Sequence, residues 1–285
     1  MTLSEAFNCY IQDVVVFRNL SAKTEESYLY AKKSLIKSIG DINLESLTFN
    51  HVRVWKQKSQ SLMPNTARGY LCCLRQVLKH ARVLGVNCIS PNQIPVPKRS
   101  EVPVDYYTSK EITQIIRSIR PKQGCTKQNI IRNKLIVSLL YSTGLRVKEL
   151  CNLNIRDVAE PTIPVIGKNN KPRLCFVDSR SRQLIEEYLK IRQDQQPYLF
   201  IGSGGKRLTT SDVRHFFYRL RSETVYKSIH PHAIRHSYAT NLLQNGCHIY
   251  TLKELMGHSS ISSTAIYLHV KNPELQEAYS KFHSC

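Results

Sequence analysis

The stretch from Ser228 to Val270 concentrates the side chains best suited to chemistry on an anion: His232, Arg235, His236, His258, Tyr267 and His269, all within a few helical turns. Between them runs an apolar pattern, Ala239, Leu242 and Leu243, then Leu252, Leu255 and Met256. That spacing mounts the donors and cations on short helices with one buried side. Arginine offers a planar fork of donors that keeps its charge, and histidine can give or take a proton near neutral pH. Such a set suits holding a phosphate. Tyr267 follows His258 by nine residues, behind a link rich in Ser and Thr that gives it room to swing. A phenol, with an unperturbed pKa near ~10, leaves more easily than an alkoxide, so a phosphoester formed on it is reversible.

The motifs His232-Ala-Ile-Arg235-His236, Gly257-His258-Ser259-Ser260 and Tyr267 closely resemble the C-terminal signature of the tyrosine recombinases, the phage integrase family. Two upstream elements extend the resemblance: Arg146 in Thr-Gly-Leu-Arg and Lys168 in Val-Ile-Gly-Lys. The series Arg146, Lys168, His232, Arg235, His258 and Tyr267 stands in the family's order, with no departure among the catalytic positions. The resemblance implies that Tyr267 is the nucleophile and that Lys168 protonates the leaving 5′-hydroxyl. Cleavage then leaves a 3′-phosphotyrosine, which the 5′-hydroxyl of a partner strand reseals by way of a Holliday junction. Arg146 and Arg235 can each make paired bonds to the phosphate and neutralise its non-bridging oxygens, as a metal does elsewhere. His232 and His258 can donate to the same phosphate or manage the tyrosine proton. No cofactor and no metal ligand is therefore expected.

Each residue alone has a duller reading. Arg146 would cap a helix or pair with Glu149, and Tyr267 would be one of 15 tyrosines. His232 and His236 are four apart, but no carboxylate or cysteine nearby completes a metal set. His236 is expected beside the site or in the core. Lys171 competes with Lys168 for the role of acid, and the Gly-Lys match favours Lys168. As an ordered set the chemical reading prevails. Two rivals share the scaffold: DNA relaxation of the type IB topoisomerase kind, and a DNA-binding regulator without catalysis.

The elements that must position these residues divide the chain in three: a helical domain over 1–90, a linker over 91–107 and a catalytic domain over 108–285. Apolar periodicity predicts a helix over 3–18, and Ser21 and Gly40 bracket a second. A third follows Thr48, and a fourth runs from Pro64 to Gly85. On the fourth, Arg68, Arg75, Lys79 and Arg82 form one basic stripe beside an apolar face, read equally as a solvated surface or as a phosphate contact. Pro91, Pro95, Pro97 and Pro103 mark the linker. Thr108 and Glu111 make a capping box, a helix spans 128–142, and Gly144 turns the chain toward Arg146. Residues 162–166 and 173–177 read as a β-hairpin with Lys168 and Lys171 near its tip. Thr210 or Ser211 caps a later helix. The fold class is mainly α with a small β-hairpin, an α+β arrangement. The resemblance makes the first domain a SAM-like core-DNA-binding domain and the region after Tyr267 a docking tail.

The net charge is +20, from 41 Lys and Arg against 21 Asp and Glu, and it is shared. Residues 1–107 hold 14 basic and 8 acidic side chains, net +6, and the remainder carries +14. A polyanionic partner is implied, with both lobes closing on it. The nine cysteines form no C-x-x-C pair and no zinc-ligand spacing, so they are expected reduced, in a cytoplasmic protein. No apolar run approaches the roughly 18–20 residues that cross a bilayer, and the N-terminus lacks the features of a signal peptide. The resemblance implies double-stranded DNA with an inverted-repeat core site as partner and a homo-tetramer on two such sites, with room for a partner recombinase. The chain begins at the core-binding lobe, which points to a short Xer-like or transposon-borne resolvase of a mobile element.

Overall fold

The computed structural model describes residues 1–18, 20–98, 105–121, 125–166, 172–257 and 264. The chain forms two compact units that divide after Val102. In the first, α1 (Leu3–Tyr10) runs into a π-helical turn at Ile11–Val16, followed by α2 (Ala22–Ile39), α3 (Phe49–Lys58) and α4 (Pro64–Val83). Local chemistry sets their ends. Thr2 and Glu5 exchange bonds as a capping box, Ser21 accepts from the Thr24 N–H, and Pro64 occupies the first turn of α4. Gly40 closes α2 with a positive φ of 81°.

Phe7, Leu35, Trp55, Leu74 and Leu78 are fully buried at the centre of this unit. Each such side chain stabilises the fold by about 1.5–3 kcal/mol. The Trp55 indole N–H donates to the Ser34 hydroxyl at 3.1 Å, so its burial leaves no orphan donor.

Two expectations change here. The single helix over 3–18 widens at Ile11, and the segment expected to link the units from residue 91 packs on the first unit instead. Ile94 is fully buried in that core. Arg68, Arg75 and Arg82 of α4 donate to the carbonyls of Pro97 (3.1 Å), Ile94 (2.7 Å) and Cys88 (2.7 Å). Three members of the basic stripe thus strap residues 88–97 onto α4, while Lys79 is exposed.

The second unit contains α5 (Ser109–Ser118), α6 (Lys127–Thr143), α7 (Val147–Asn152), β1 (Thr162–Ile166), β2 (Pro172–Phe176) and α8 (Ser179–Ile191). It continues with α9 (Thr210–Glu223), α10 (Pro231–Gln244) and α11 (Ile249–Met256). Helix α6 is buried on nearly every side, through Ile131, Leu135, Ile136, Val137, Leu139 and Leu140, and packs against α8 and α10. An all-round apolar helix marks the centre of a domain. Strands β1 and β2 pair antiparallel, with Val165 opposite Arg173 and Ile163 opposite Cys175. Thr108 and Glu111 cap α5 as expected. The cap of α9 is Thr209, whose hydroxyl accepts from the Asp212 N–H, rather than Thr210 or Ser211. Among the described residues no helix is long and apolar enough to cross a membrane.

Candidate active site

The site is assembled where α6, α7, α10 and α11 end or begin. Helix α6 stops at Gly144, which takes the left-handed conformation at φ 60°. A Cβ there would stand 2.4 Å from a ring carbon of Tyr238, so conformation and space both require glycine. Two residues on, Arg146 is the N-cap of α7. Its backbone N–H donates to Glu149 Oε2 at 2.8 Å and its guanidinium to Oε1 at 2.9 Å. The other arm of Arg146 reaches the Gly257 carbonyl at 3.3 Å.

Arg235 lies on α10 and is 4% exposed. It donates to the carbonyl of Gly144 and, at 2.7 Å, to that of Met256. One buried guanidinium therefore joins the turn after α6 to the end of α11. A charge so placed is held by these carbonyl dipoles. Arg146 and Arg235 end on the consecutive carbonyls of Gly257 and Met256. His232 precedes Arg235 by three residues, one helical turn away on α10, and its ring lies 5.6 Å from that of His236.

Arg146, His232 and Arg235 line one cavity of about 760 Å³, together with Arg214, His215 and Arg221. The cavity wall is strongly basic, which suits a polyanion. His232 reaches solvent through the cavity, yet its packed surroundings, followed by the charge of Arg235 and weaker effects of His230 and Arg146, lower its pKa. It is therefore neutral at pH 7 and free to accept a proton.

Glu149 accepts from Arg146 and also from Arg173 on β2. Burial would raise its pKa, but the hydrogen bonds from Arg173 and from the Arg146 N–H prevail and hold it at about 2. Arg173 in turn covers Gly257, where a Cβ would come within 2.9 Å of its Cδ. Gly257 is left-handed at φ 60°. The cation network thus runs from the hairpin through Glu149 to Arg146 and the last turn of α11.

Of the sequence-predicted catalytic residues, the structure brings together Arg146, His232 and Arg235. Lys168, Lys171, His258 and Tyr267 lie outside the described residues, although His258 directly follows Gly257 in the chain. The predicted DNA contacts Arg68, Arg75, Lys79 and Arg82 belong to the first unit, on α4. Sequence reasoning saw Glu149 only as a dull partner for Arg146 and did not single out Arg173. The signal for Glu149 was its place three residues into α7. Arg173 carried no local signal.

The phage integrase family model matches residues 105–274, more than half of the chain. A tyrosine recombinase of Thermosipho africanus is 31% identical over 229 residues, covering 78% of this chain and 77% of its own. The tyrosine recombinase XerC of Staphylococcus haemolyticus is 29% identical over 288 residues, covering 96% and 95%. Among solved structures, the Tn1549 transposon integrase in complex with transposon right-end DNA superposes with a TM-score of 0.83 at 20% identity, covering all of both chains. A lambda integrase dimer bound to a COC′ core site gives 0.76 at 16% identity, covering 94% of this chain and 77% of its own. These two show a shared fold. The family model and the Thermosipho relative place the chain in the phage integrase family, as a tyrosine recombinase that breaks and rejoins DNA strands in site-specific recombination.

Proposed function

We propose that this enzyme cleaves double-stranded DNA with Tyr267 as nucleophile and Arg146, Lys168, His232, Arg235 and His258 as the remaining catalytic residues. The observation that carries the reading is the convergence of Arg146 and Arg235 on the carbonyls of Gly257 and Met256, immediately before His258. Both guanidiniums end on the C-terminal end of α11, just ahead of His258 in the chain, and line a basic cavity with His232.

In this mechanism the Tyr267 phenolic oxygen attacks the scissile phosphorus, and its proton passes to a histidine, His232 or His258. Arg146 and Arg235 neutralise the charge that grows on the non-bridging oxygens, a preorganised effect worth several kcal/mol. The bond from phosphorus to the 5′-oxygen breaks, and Lys168 supplies the proton to that oxygen. A 3′-phosphotyrosine remains. Attack by the 5′-hydroxyl of a second strand reverses each step, so the exchange conserves phosphodiester energy and needs no cofactor.

The partner is duplex DNA with inverted-repeat core sites, held by four copies of the chain on two sites. The net charge of +20 supports a polyanionic partner, as do the named relatives solved with DNA. Lys79, together with the donors that Arg68, Arg75 and Arg82 do not spend on residues 88–97, contacts phosphates from the first unit, and Lys171 does so from the second. The segment after Tyr267 docks on a neighbouring protomer and closes the ring. The setting is a mobile element acting in the cytoplasm.

A nicked suicide duplex carrying a candidate site tests the assignment, with wild type and Tyr267→Phe compared on a denaturing gel in the presence of a chelator. A covalent adduct formed by wild type alone supports it. An adduct that persists in Tyr267→Phe sinks it.

A further inference from the structure

The first unit holds a cluster that the recombination chemistry does not use. Cys9 lies in the last turn of α1, Asp13 follows one turn later inside the π-helical segment, and His80 projects from α4. Cys9 Sγ lies 3.1 Å from Asp13 Oδ2, and His80 Nε2 lies 3.5 Å from the same oxygen. All three atoms fall within 4.8 Å of one another. We propose that Cys9, Asp13 and His80 form a zinc site that ties α1 to the end of α4.

The distances fit the ion. Bonds of about 2.0–2.3 Å in a tetrahedron space the ligand atoms roughly 3.3–3.7 Å apart. Two of the three separations already stand within a few tenths of an ångström of that range. A thiolate, an imidazole and a carboxylate suit a borderline-soft cation, and the two anionic ligands balance its charge. Water completes the fourth position. The His80 ring is held edge-on against Tyr10 at 5.6 Å, which aims Nε2 at Asp13 without a metal.

A second observation points the same way. The backbone widens into a π-helix at Ile11, straight after Tyr10, and the widened segment carries Asp13. Such segments are rare and are frequently found at functional sites. The Cys9 thiol donates to Asp13 Oδ2 at 3.1 Å. Zinc takes the place of that proton: the S–H bond breaks, the S–Zn bond forms, and the proton goes to solvent. No electron is transferred.

The test is titration of the reduced full-length protein with Co²⁺, followed through the thiolate-to-cobalt charge-transfer band and the visible bands of tetrahedral cobalt. Wild type should take up a single equivalent with both signals, and Zn²⁺ should abolish them by displacement. Cys9→Ser keeps a hydroxyl donor for Asp13 and should fold, yet lose the charge-transfer band. His80→Ala should lose the tetrahedral bands, and Cys72→Ser should match wild type. A band absent from wild type, or undiminished in Cys9→Ser or His80→Ala, overturns the site. A measurement on wild type alone guards against variants that fail to fold. Zn²⁺ should slow alkylation of Cys9, read by peptide mass spectrometry, at least tenfold; equal rates with and without the ion reject the proposal.

Discussion

Glu149 and Arg173 meet as a two-pronged ion pair, with the guanidinium nitrogens 3.1 and 2.7 Å from the two carboxylate oxygens. The same carboxylate holds Arg146, so one acid positions two cations of opposite origin, one from a helix start and one from a strand. Both Arg173 and Glu149 are nearly closed to solvent, at 6% and 11% side-chain exposure. Removing one partner of such a pair costs about 3–5 kcal/mol, because the other charge stays buried without compensation. Glu149→Gln is therefore expected to lower the unfolding midpoint. It should also cut the rate of covalent adduct formation about ten- to a hundredfold, as Arg146 loses its charged anchor. Equal adduct rates in wild type and variant would show that Arg146 is positioned by other means.

The pH dependence of stability follows from the same residue. The folded pKa of Glu149 is about 2, against an ordinary 4.5. A carboxylate with a depressed pKa stabilises the fold above the unfolded value and ceases to do so as pH falls through the folded one. The contribution, on the order of 3 kcal/mol, is complete above about pH 4.5 and is lost between there and about pH 2. Urea unfolding at a series of pH values should show the gap between wild type and Glu149→Gln narrowing across that window. A constant gap would contradict the assignment.

If His232 accepts the tyrosine proton, as the proposed mechanism allows, it should set an acidic limit on cleavage. Its lowered pKa keeps the ring neutral down to below the ordinary 6.5, so the form that accepts a proton persists under mildly acidic conditions. Single-turnover cleavage should fall only below pH 6.5. In His232→Asn the rate should drop at neutral pH and that acidic limb should flatten. A limb centred above pH 6.5 in wild type would be inconsistent with the surroundings of the ring.

The glycines divide sharply. Gly144→Ala forces a positive φ on a side chain and drives its Cβ into the Tyr238 ring, displacing the carbonyl that Arg235 binds. A loss of about 2–4 kcal/mol is expected, with cleavage falling further than DNA binding. Gly69, within α4, has nothing within 4 Å of a built Cβ and no positive φ. Gly69→Ala should stabilise by about 0.5–1 kcal/mol. Thermal unfolding of the two variants side by side checks the pair.

On α4 the basic stripe should separate into structure and binding. Arg75 donates to the Ile94 carbonyl at 2.7 Å, whereas Lys79 is exposed. Arg75→Ala is expected to cost about 1–2 kcal/mol of stability in the first unit. Lys79→Ala should leave the unfolding midpoint unchanged, weaken DNA binding and reduce the salt slope by about one. A salt slope unmoved by Lys79→Ala would remove it from the interface.

What the sequence determined is what acts over a single turn. Ser21, Thr108 with Glu111, Pro64 and Gly40 mark helix ends because caps satisfy backbone groups three or four residues away. The hairpin was legible because a period of two and a turn are also local. The ordered motif around Arg146, His232 and Arg235 was legible by resemblance, since the family keeps its residue types in a fixed order along the chain. The rest depended on packing. Nothing in the neighbourhood of Arg173 announces Glu149, 24 residues away, and nothing near Gly144 announces Arg235, 91 away. The proline-rich stretch read as a linker because its carbonyls find their donors in α4, and the lack of zinc-ligand spacing among the cysteines gave no sign of His80, which reaches Cys9 and Asp13 only once α1 and α4 pack. Hydrogen bonds between distant segments form where hydrophobic burial brings those segments together, and burial is a property of the whole fold.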